Sequence, residues 1–238
     1  MTELVSIILP TRNESENLKI LIPALINEVG KNYLVEIIVV DDASTDGTPE
    51  VVRSFSGSGS RVRLIERASE RGLATALRTG LEIACGESVV FMDADTTHHP
   101  GRVPELIHVS AMFDLVSASR FCAGGSMQGR TRYLGSYFFN LWVRLILGTQ
   151  IQDNLAGFFI IKRKLLMTFP LDFVFRGYGD YFFRILHLAR RRGLSIVEIP
   201  TSYTVRPYGR SKSSLLKMVW TYSIAAFELR RKAPKLMG

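Results

Sequence analysis

Asp93 and Asp95 close the stretch "SVVFMDADTTHHP" (88–100), where an apolar, strand-like run turns acidic within a few positions. If the extended chain continues through Ala94, the two carboxylates face the same side, because strand side chains repeat every second residue. Like charges that close together call for a cation between them. A hard divalent ion, Mg²⁺ or Mn²⁺, prefers such oxygen ligands and completes its shell with phosphate oxygens. A second acidic pair, Asp41 and Asp42, ends the apolar run of "VEIIVVDD" and exceeds what capping the next helix requires. A carboxylate placed there can accept hydrogen bonds from both ribose hydroxyls, and a flat base can lie beside the loop "LPTRNESENL" that follows the first apolar run. These residues together read as a nucleoside diphosphate pocket. His98 and His99, in a turn before Pro100, are expected to face solvent rather than to ligate. Gly72 precedes a helix but lacks both the P-loop and the dinucleotide glycine pattern, which argues against an ordinary ATPase or a hydride-transfer enzyme.

The second half carries chemistry of opposite sign. Residues 1–118 hold 10 Lys and Arg against 17 Asp and Glu, a balance of −7, whereas residues 119–238 hold 20 against 5, a balance of +15. An anionic partner is implied: a phosphorylated small molecule, an acidic membrane surface or nucleic acid. A basic nucleic-acid-binding module without catalysis is the alternative from another class, but no nucleic-acid motif or repeated aromatic-basic platform appears. "RPYGRSK" brings Arg206, Arg210 and Lys212 around Gly209, and "SRFCAGGSMQGRTR" brings Arg120, Arg130 and Arg132 around Gly124 and Gly125. Arginine suits bidentate phosphate contacts, and the second stretch reads as a mobile loop able to close over substrate. Were the acceptor a hydroxyl, a general base would be needed, and Asp153 in "QDNLAGF" is the candidate.

The elements that must position these groups are legible from periodicity. Four β-branched-rich runs, 4–10, 35–42, 61–65 and 88–93, alternate with helical patterns over 16–29, 47–55 and 72–84. That alternation predicts an α/β fold with a mostly parallel central sheet flanked by helices. Ligand crevices in such sheets lie beyond the carboxyl ends of the strands. Pro10 to Glu14, Asp41 to Asp46 and Asp93 to Asp95 should therefore meet at one edge. Asn13 or Ser15 is expected to cap the first helix and Thr45 or Asp46 the second. Residues 133–148 and 214–232 mix aromatic, aliphatic and basic residues, and at least one is expected to lie as an amphipathic helix in a membrane interface, ordinary core or a dimer face being the competing reading. No apolar run reaches the roughly 18 residues of a spanning helix. The two cysteines, Cys85 and Cys122, read as reduced thiols of a cytosolic protein.

"PTRNESENL", "VVDDASTDGT", "RGLATALRTGLEIACGE", "MDADTTHHP", "SASRFCAGGS", "DNLAGFFIIKR", "EIP" and "RPYGRSK" occur in the order seen in inverting family 2 glycosyltransferases of the GT-A fold. Over residues 4–212 the chain resembles dolichyl-phosphate mannose synthases and related polyprenyl-phosphate glycosyltransferases. The resemblance implies a GT-A domain over 1–212, split into a nucleotide-binding half (1–118) and an acceptor-binding half (119–212), followed by a basic amphipathic helix in 213–238. It implies that Pro10, Arg12, Glu14, Val40 and Asp42 line the nucleotide pocket and that Asp93, Ala94 and Asp95 hold the metal and diphosphate. Arg120, Arg132, Arg206 and Lys212, with Ser136 nearby, would bind donor and lipid phosphates. Arg12 stands where the synthases usually carry an aromatic residue, and Thr97 where they place a glutamine metal ligand. The implied reaction moves one sugar, GDP-mannose being the favoured donor and a UDP-sugar the other, to a polyprenyl or dolichyl phosphate. It would run on the cytosolic face of a membrane, with a hydroxyl of an envelope glycan as the alternative acceptor. The processive synthases' Gln-x-x-Arg-Trp motif is absent from the sequence.

Overall fold

The computed structural model describes residues 3–57, 59–68, 70–203 and 215–232. The chain runs β1 (Leu4–Thr11), α1 (Ser15–Glu28), β2 (Leu34–Asp41), α2 (Thr48–Phe55), β3 (Val62–Glu66), α3 (Leu73–Ile83) and β4 (Ser88–Phe91). It continues through α4 (Val103–Ser110), β5 (Leu115–Ser119), β6 (Ser126–Met127), α5 (Arg130–Leu147), β7 (Phe159–Lys162), α6 (Arg163–Leu166) and α7 (Leu171–Val174). It closes with α8 (Tyr181–Arg191), β8 (Ile196–Pro200), β9 (Ser202–Tyr203) and α9 (Leu215–Lys232).

Seven strands form one sheet in the order β3-β2-β1-β4-β7-β5-β8, parallel except for β7, which runs against both of its neighbours. Burial on both faces explains the unbroken apolar runs of β1 and β2. Ile7 and Leu9 of β1 and Ile37 and Val39 of β2 pack under α1, α2 and α4. Ile8, Ile38 and Val40 point the other way, beneath α3, α5, α8 and α9. Two apolar layers of this kind hold the sheet rigid, and the loops at its carboxyl edge inherit that rigidity.

Of the expected helix caps, Asp46 alone bonds its own helix, its Oδ1 accepting from the Thr48 amide at 3.1 Å. Glu14 and Gly47 occupy the N-cap positions of α1 and α2, neither with a side-chain cap. Asn13 and Asp46 also tie the two loops together. Asn13 Oδ1 accepts from the Thr45 amide at 2.9 Å, and the Asn13 amide donates to Ser44 Oγ at 2.7 Å. Asp46 accepts from the Ser15 amide at 3.0 Å and from Thr48 Oγ1 at 2.6 Å. Burial pushes the Asp46 carboxyl up, but the bonds from Thr48 and Ser15 outweigh it and hold it below the usual carboxylate range.

Helix α9 is part of the core. Tyr222, Ala226 and Leu229 are buried against α5 and α8, Trp142 Nε1 donates to Ser223 Oγ at 3.1 Å, and Arg230 donates to the Ile146 carbonyl at 2.9 Å. No helix among the described residues is long and apolar enough to cross a membrane.

Candidate active site

The carboxyl edge of the sheet opens into a cavity of about 470 Å³. Pro10, Arg12, Glu14, Asp42, Asp93, Ala94, Asp95, Arg120 and Arg132 all line it. The three acidic strand ends thus converge, and Arg120 and Arg132 of the first basic stretch line the same space. Arg206, Arg210 and Lys212 lie outside the described residues.

Each carboxylate has a distinct job. Asp41 is buried and locks its own turn, accepting from the Ser44 amide at 2.9 Å and from Thr11 Oγ1 at 3.2 Å. Asp42 reaches the cavity and is paired from below. Arg67 Nε donates to its Oδ1 at 2.7 Å and the Gly72 amide to its Oδ2 at 2.8 Å. Gly72 has φ +147°, a backbone setting that favours glycine, and this brings its amide onto Asp42. β4 ends at Phe91, so Asp93 and Asp95 sit on a turn with Thr96 at φ +60° rather than on a continuing strand. Asp95 is buried, and both the amide and the hydroxyl of Thr97 donate to its Oδ1, at 3.0 and 2.6 Å. Asp93 is the more open of the two, with 41% of its side chain exposed to the cavity.

Among the described residues no group of three or more His, Cys, Asp or Glu is gathered to hold a metal. Two all-oxygen carboxylates at the rim of a cavity nevertheless fit a hard ion that takes its remaining ligands from substrate phosphates and water. Asp93 and Asp95 are the residues that would hold it, with Thr97 fixing the orientation of Asp95.

Three expectations are corrected by their surroundings. Asp153 is fully buried behind the cavity wall, where the Arg120 guanidinium grips both its oxygens at 2.7 Å and the Arg120 amide donates to Oδ2 at 3.1 Å. It anchors Arg120 and does not reach a substrate as a base. Val40 points into the core under α3 and offers only its carbonyl, which accepts from Thr11 Oγ1 at 3.3 Å. Ser136 lies one turn beyond the cavity on α5, outside its lining. The Gly124–Gly125 pair also answers a packing need. A Cβ at Gly125 would stand 2.6 Å from the Ser119 carbonyl, and the segment is pinned where β6 pairs with β9.

The rest of the lining is aromatic and cationic. Arg120 is buried over the ring of Tyr203 at 4.7 Å. Burial disfavours its charge, but Asp153 more than compensates and raises its pKa, so the guanidinium is a permanent cation. Tyr178, Tyr181, Tyr203 and Tyr222 also line the cavity, with Gln128 and Met127. Burial drives the phenols of Tyr181, Tyr203 and Tyr222 above the ordinary value, and the charge of Asp93 adds to this. They stay neutral and serve as hydroxyl groups, not bases. The Gly179 amide donates to Tyr222 Oη at 2.8 Å, and a Cβ at Gly179 would meet that oxygen at 2.4 Å, so α9 closes on this loop only because the residue is glycine. The glycine-flanked "GYGDY" was the available signal for Tyr178 and Tyr181; Tyr222 had none, being one aromatic among several on a helix face.

The family model for glycosyl transferase family 2 matches residues 6–169. The chain belongs to that family. Undecaprenyl-phosphate mannosyltransferase of Micrococcus luteus is 34% identical over 217 residues, covering 87% of this chain and 86% of that protein. Polyprenol monophosphomannose synthase of Mycolicibacterium smegmatis is 34% identical over 90% of this chain and 82% of its own length. Dolichol-phosphate mannosyltransferase of Pyrococcus furiosus is also 34% identical over 87% of the chain, which spans only 58% of that relative. Among solved structures, Mycobacterium tuberculosis glucosyl-3-phosphoglycerate synthase in complex with UDP gives a TM-score of 0.72 at 23% identity over 96% of this chain and 80% of that one. The same enzyme with Mn²⁺, UDP-glucose and glycerol 3-phosphate gives 0.71 at 22% identity. The protein is a glycosyltransferase built on the GT-A fold, similar to the polyprenyl-phosphate mannosyltransferases.

Proposed function

We propose that the protein transfers a single mannose, with inversion, from a nucleoside diphosphate donor to a polyprenyl phosphate at the cytosolic face of a membrane. GDP-mannose is the favoured donor and a UDP-sugar the other. The observation that carries this reading is the division of one cavity's lining between the acidic Asp93 and Asp95 turn and the basic Arg120 and Arg132. Two mutually repelling phosphate-bearing substrates need just such a division. The mannosyl and polyprenyl parts rest on the relatives named above.

In this reading the nucleoside lies along Pro10, Arg12 and Glu14, with Asp42 preset by Arg67 and Gly72 to receive ribose hydroxyls. Asp93 and Asp95 face the diphosphate and would hold Mg²⁺ or Mn²⁺, which when bound supplies Lewis-acid stabilisation of the leaving diphosphate. Arg120, held rigid by Asp153 and Tyr203, and Arg132 draw the acceptor phosphate to the sugar; Arg206 and Lys212 are proposed to assist. A phosphate monoester is already anionic near neutral pH, so its oxygen needs no base. The lining accords with that: its carboxylates at the reacting end are the Asp93 and Asp95 pair, and its buried tyrosines stay protonated. Positioning and charge neutralisation carry the rate.

Membrane contact is supported by α5 and α9. Each turns one side to the cavity or core and exposes an apolar stripe on the other, Leu134, Phe138, Leu141 and Leu145 on α5 and Trp220, Ile224 and Phe227 on α9. Phe138, Leu145 and Trp220 are 62, 68 and 72% exposed, and Trp142 joins the stripes through its ring contact with Phe227. Patches of this size with basic flanks suit a lipid interface.

The test is a thermal-shift panel of GDP-, UDP- and dTDP-sugars with Mn²⁺ or Mg²⁺, followed by incubation of the stabilising labelled donor with polyprenyl phosphate. An organic-extractable, acid-labile product is expected. Label found only in water-soluble glycan would replace the lipid phosphate with a hydroxyl acceptor.

A further inference from the structure

The turn that carries Asp93 is built around a buried imidazole. His98, expected at the surface beside His99, is completely inaccessible, whereas His99 is exposed and accepts from the Gly101 amide at 3.1 Å. Its ring stacks on Phe158 (centroids 4.8 Å apart, planes 11° apart) and meets the ring of Tyr203 edge-on, also at 4.8 Å. Phe158 belongs to the core beneath α4, and Tyr203 donates to the Ala156 carbonyl at 2.6 Å while supporting Arg120 on its face. One column of rings therefore runs from the aspartate turn to the arginine wall.

The polar edge of the ring is equally specific. β4 ends at Phe91, so the Asp93 amide has left the strand ladder, and an unmet amide in a buried turn is costly. His98 Nδ1 accepts that amide at 3.0 Å. The acceptor role assigns the ring proton to Nε2, which lies 3.8 Å from Asp93 Oδ2. A phenylalanine would fill the slot and lose both contacts.

We propose that His98 is a positioning residue for the transfer reaction. It fixes the backbone of Asp93, and so the place from which the carboxylate meets the cation and diphosphate, and its stacked ring ties that turn to Tyr203 and Arg120. The inference rests on the donor reading above and concerns how Asp93 is held, not which groups bind.

The experiment compares wild type with His98→Asn, whose Oδ1 can replace Nδ1 as acceptor, His98→Gln, whose amide lies nearer the Nε2 position, and His98→Phe. For each, the Mn²⁺ concentration giving half-maximal thermal stabilisation by saturating GDP or UDP is measured, alongside the melting temperature without ligand. His98→Phe is expected to raise the Mn²⁺ requirement about tenfold or more, as loss of a ligand's supporting partner commonly does. His98→Asn should return to within about threefold of wild type. A purely structural role would lower the ligand-free melting temperature and leave the Mn²⁺ requirement unmoved, and that result overturns the proposal. If His98→Phe does not fold, the Asn and Gln variants decide: a lower requirement in Asn supports the proposal, and equal requirements overturn it. A wild type that shows no Mn²⁺-dependent stabilisation by either nucleotide, with Asp95→Ala indistinguishable from it, overturns the donor reading and takes this inference with it.

Discussion

The donor rim and the α5–α9 wall line one cavity, yet they are held by different physics. At the rim, short polar contacts dominate: Asn13 to Ser44 and Thr45, Asp46 to Ser15 and Thr48, Thr97 to Asp95, Arg67 and Gly72 to Asp42. Most of these partners lie within a few residues of each other or across adjacent strand ends. The wall is assembled from long-range apolar and aromatic packing, with Tyr222 against Phe139 and Phe183 and Arg120 pinned by a carboxylate 33 residues away. Directional bonds suit a site that must present oxygens at fixed spacing to an ion. Broad apolar packing suits helices whose outer faces are themselves apolar.

The comparison breaks first if the rim is not where the diphosphate is held. Asp95→Ala should lower turnover by at least about a hundredfold, the scale of removing a metal ligand's charge, while the protein still folds. Full activity would remove the division of labour.

Next comes the anchor of the wall. Asp153→Ala leaves the Arg120 charge buried without its partner and should cost about 3–5 kcal/mol in denaturant unfolding. The double variant Arg120→Met, Asp153→Leu should regain much of that stability but not turnover. A single variant as stable as wild type would show that Asp153 is not the anchor.

The outer face of the wall is tested by charge. Phe138→Glu or Leu145→Glu should weaken sedimentation with anionic vesicles about tenfold, since each removes apolar burial of about 1.5–3 kcal/mol from a lipid contact. Turnover of a soluble short-chain acceptor should stay unchanged. Equal vesicle binding would point the stripe at something other than lipid.

The smallest effect is a pH dependence on the wall side alone. Burial on α8, with the charge of Arg191 and then Arg190 and Arg230, lowers the His187 pKa to about 4. The imidazole is neutral when folded and takes up its proton more readily when unfolded, near 6.5. Its contribution is complete above 6.5 and is lost as pH falls toward 4, by at most about 1.4 kcal/mol per unit. Chemical denaturation at pH 7 and pH 5 should show the drop, and His187→Leu should flatten it.

How much of this was legible follows the same division. The strand-helix alternation and the meeting of Asp42, Asp93 and Asp95 at one edge are legible in the sequence, because period-two and helical patterns report burial and because strand ends of a parallel sheet share an edge. Asn13 bonds the neighbouring loop and Asp46 bonds both that loop and its own helix, since a residue suited to bond its own helix can equally bond a neighbouring loop. His98 was misplaced for a related reason: a histidine beside a proline looks like a surface turn unless the adjacent Phe158 and Tyr203 are known. Asp153 looked like a free base because its partner, Arg120, lies far away in sequence.

The sequence by itself determined the sheet, the acidic character of its carboxyl edge and the basic character of what must oppose it, because these depend on local periodicity and on charge. Only the tertiary structure decided which charges are spent inside the protein and which reach the cavity. Pairing of buried groups depends on what lies across the fold: a carboxylate that meets an arginine there becomes scaffold, as Asp153 does, while Asp93, of the same type, keeps a face open to the cavity.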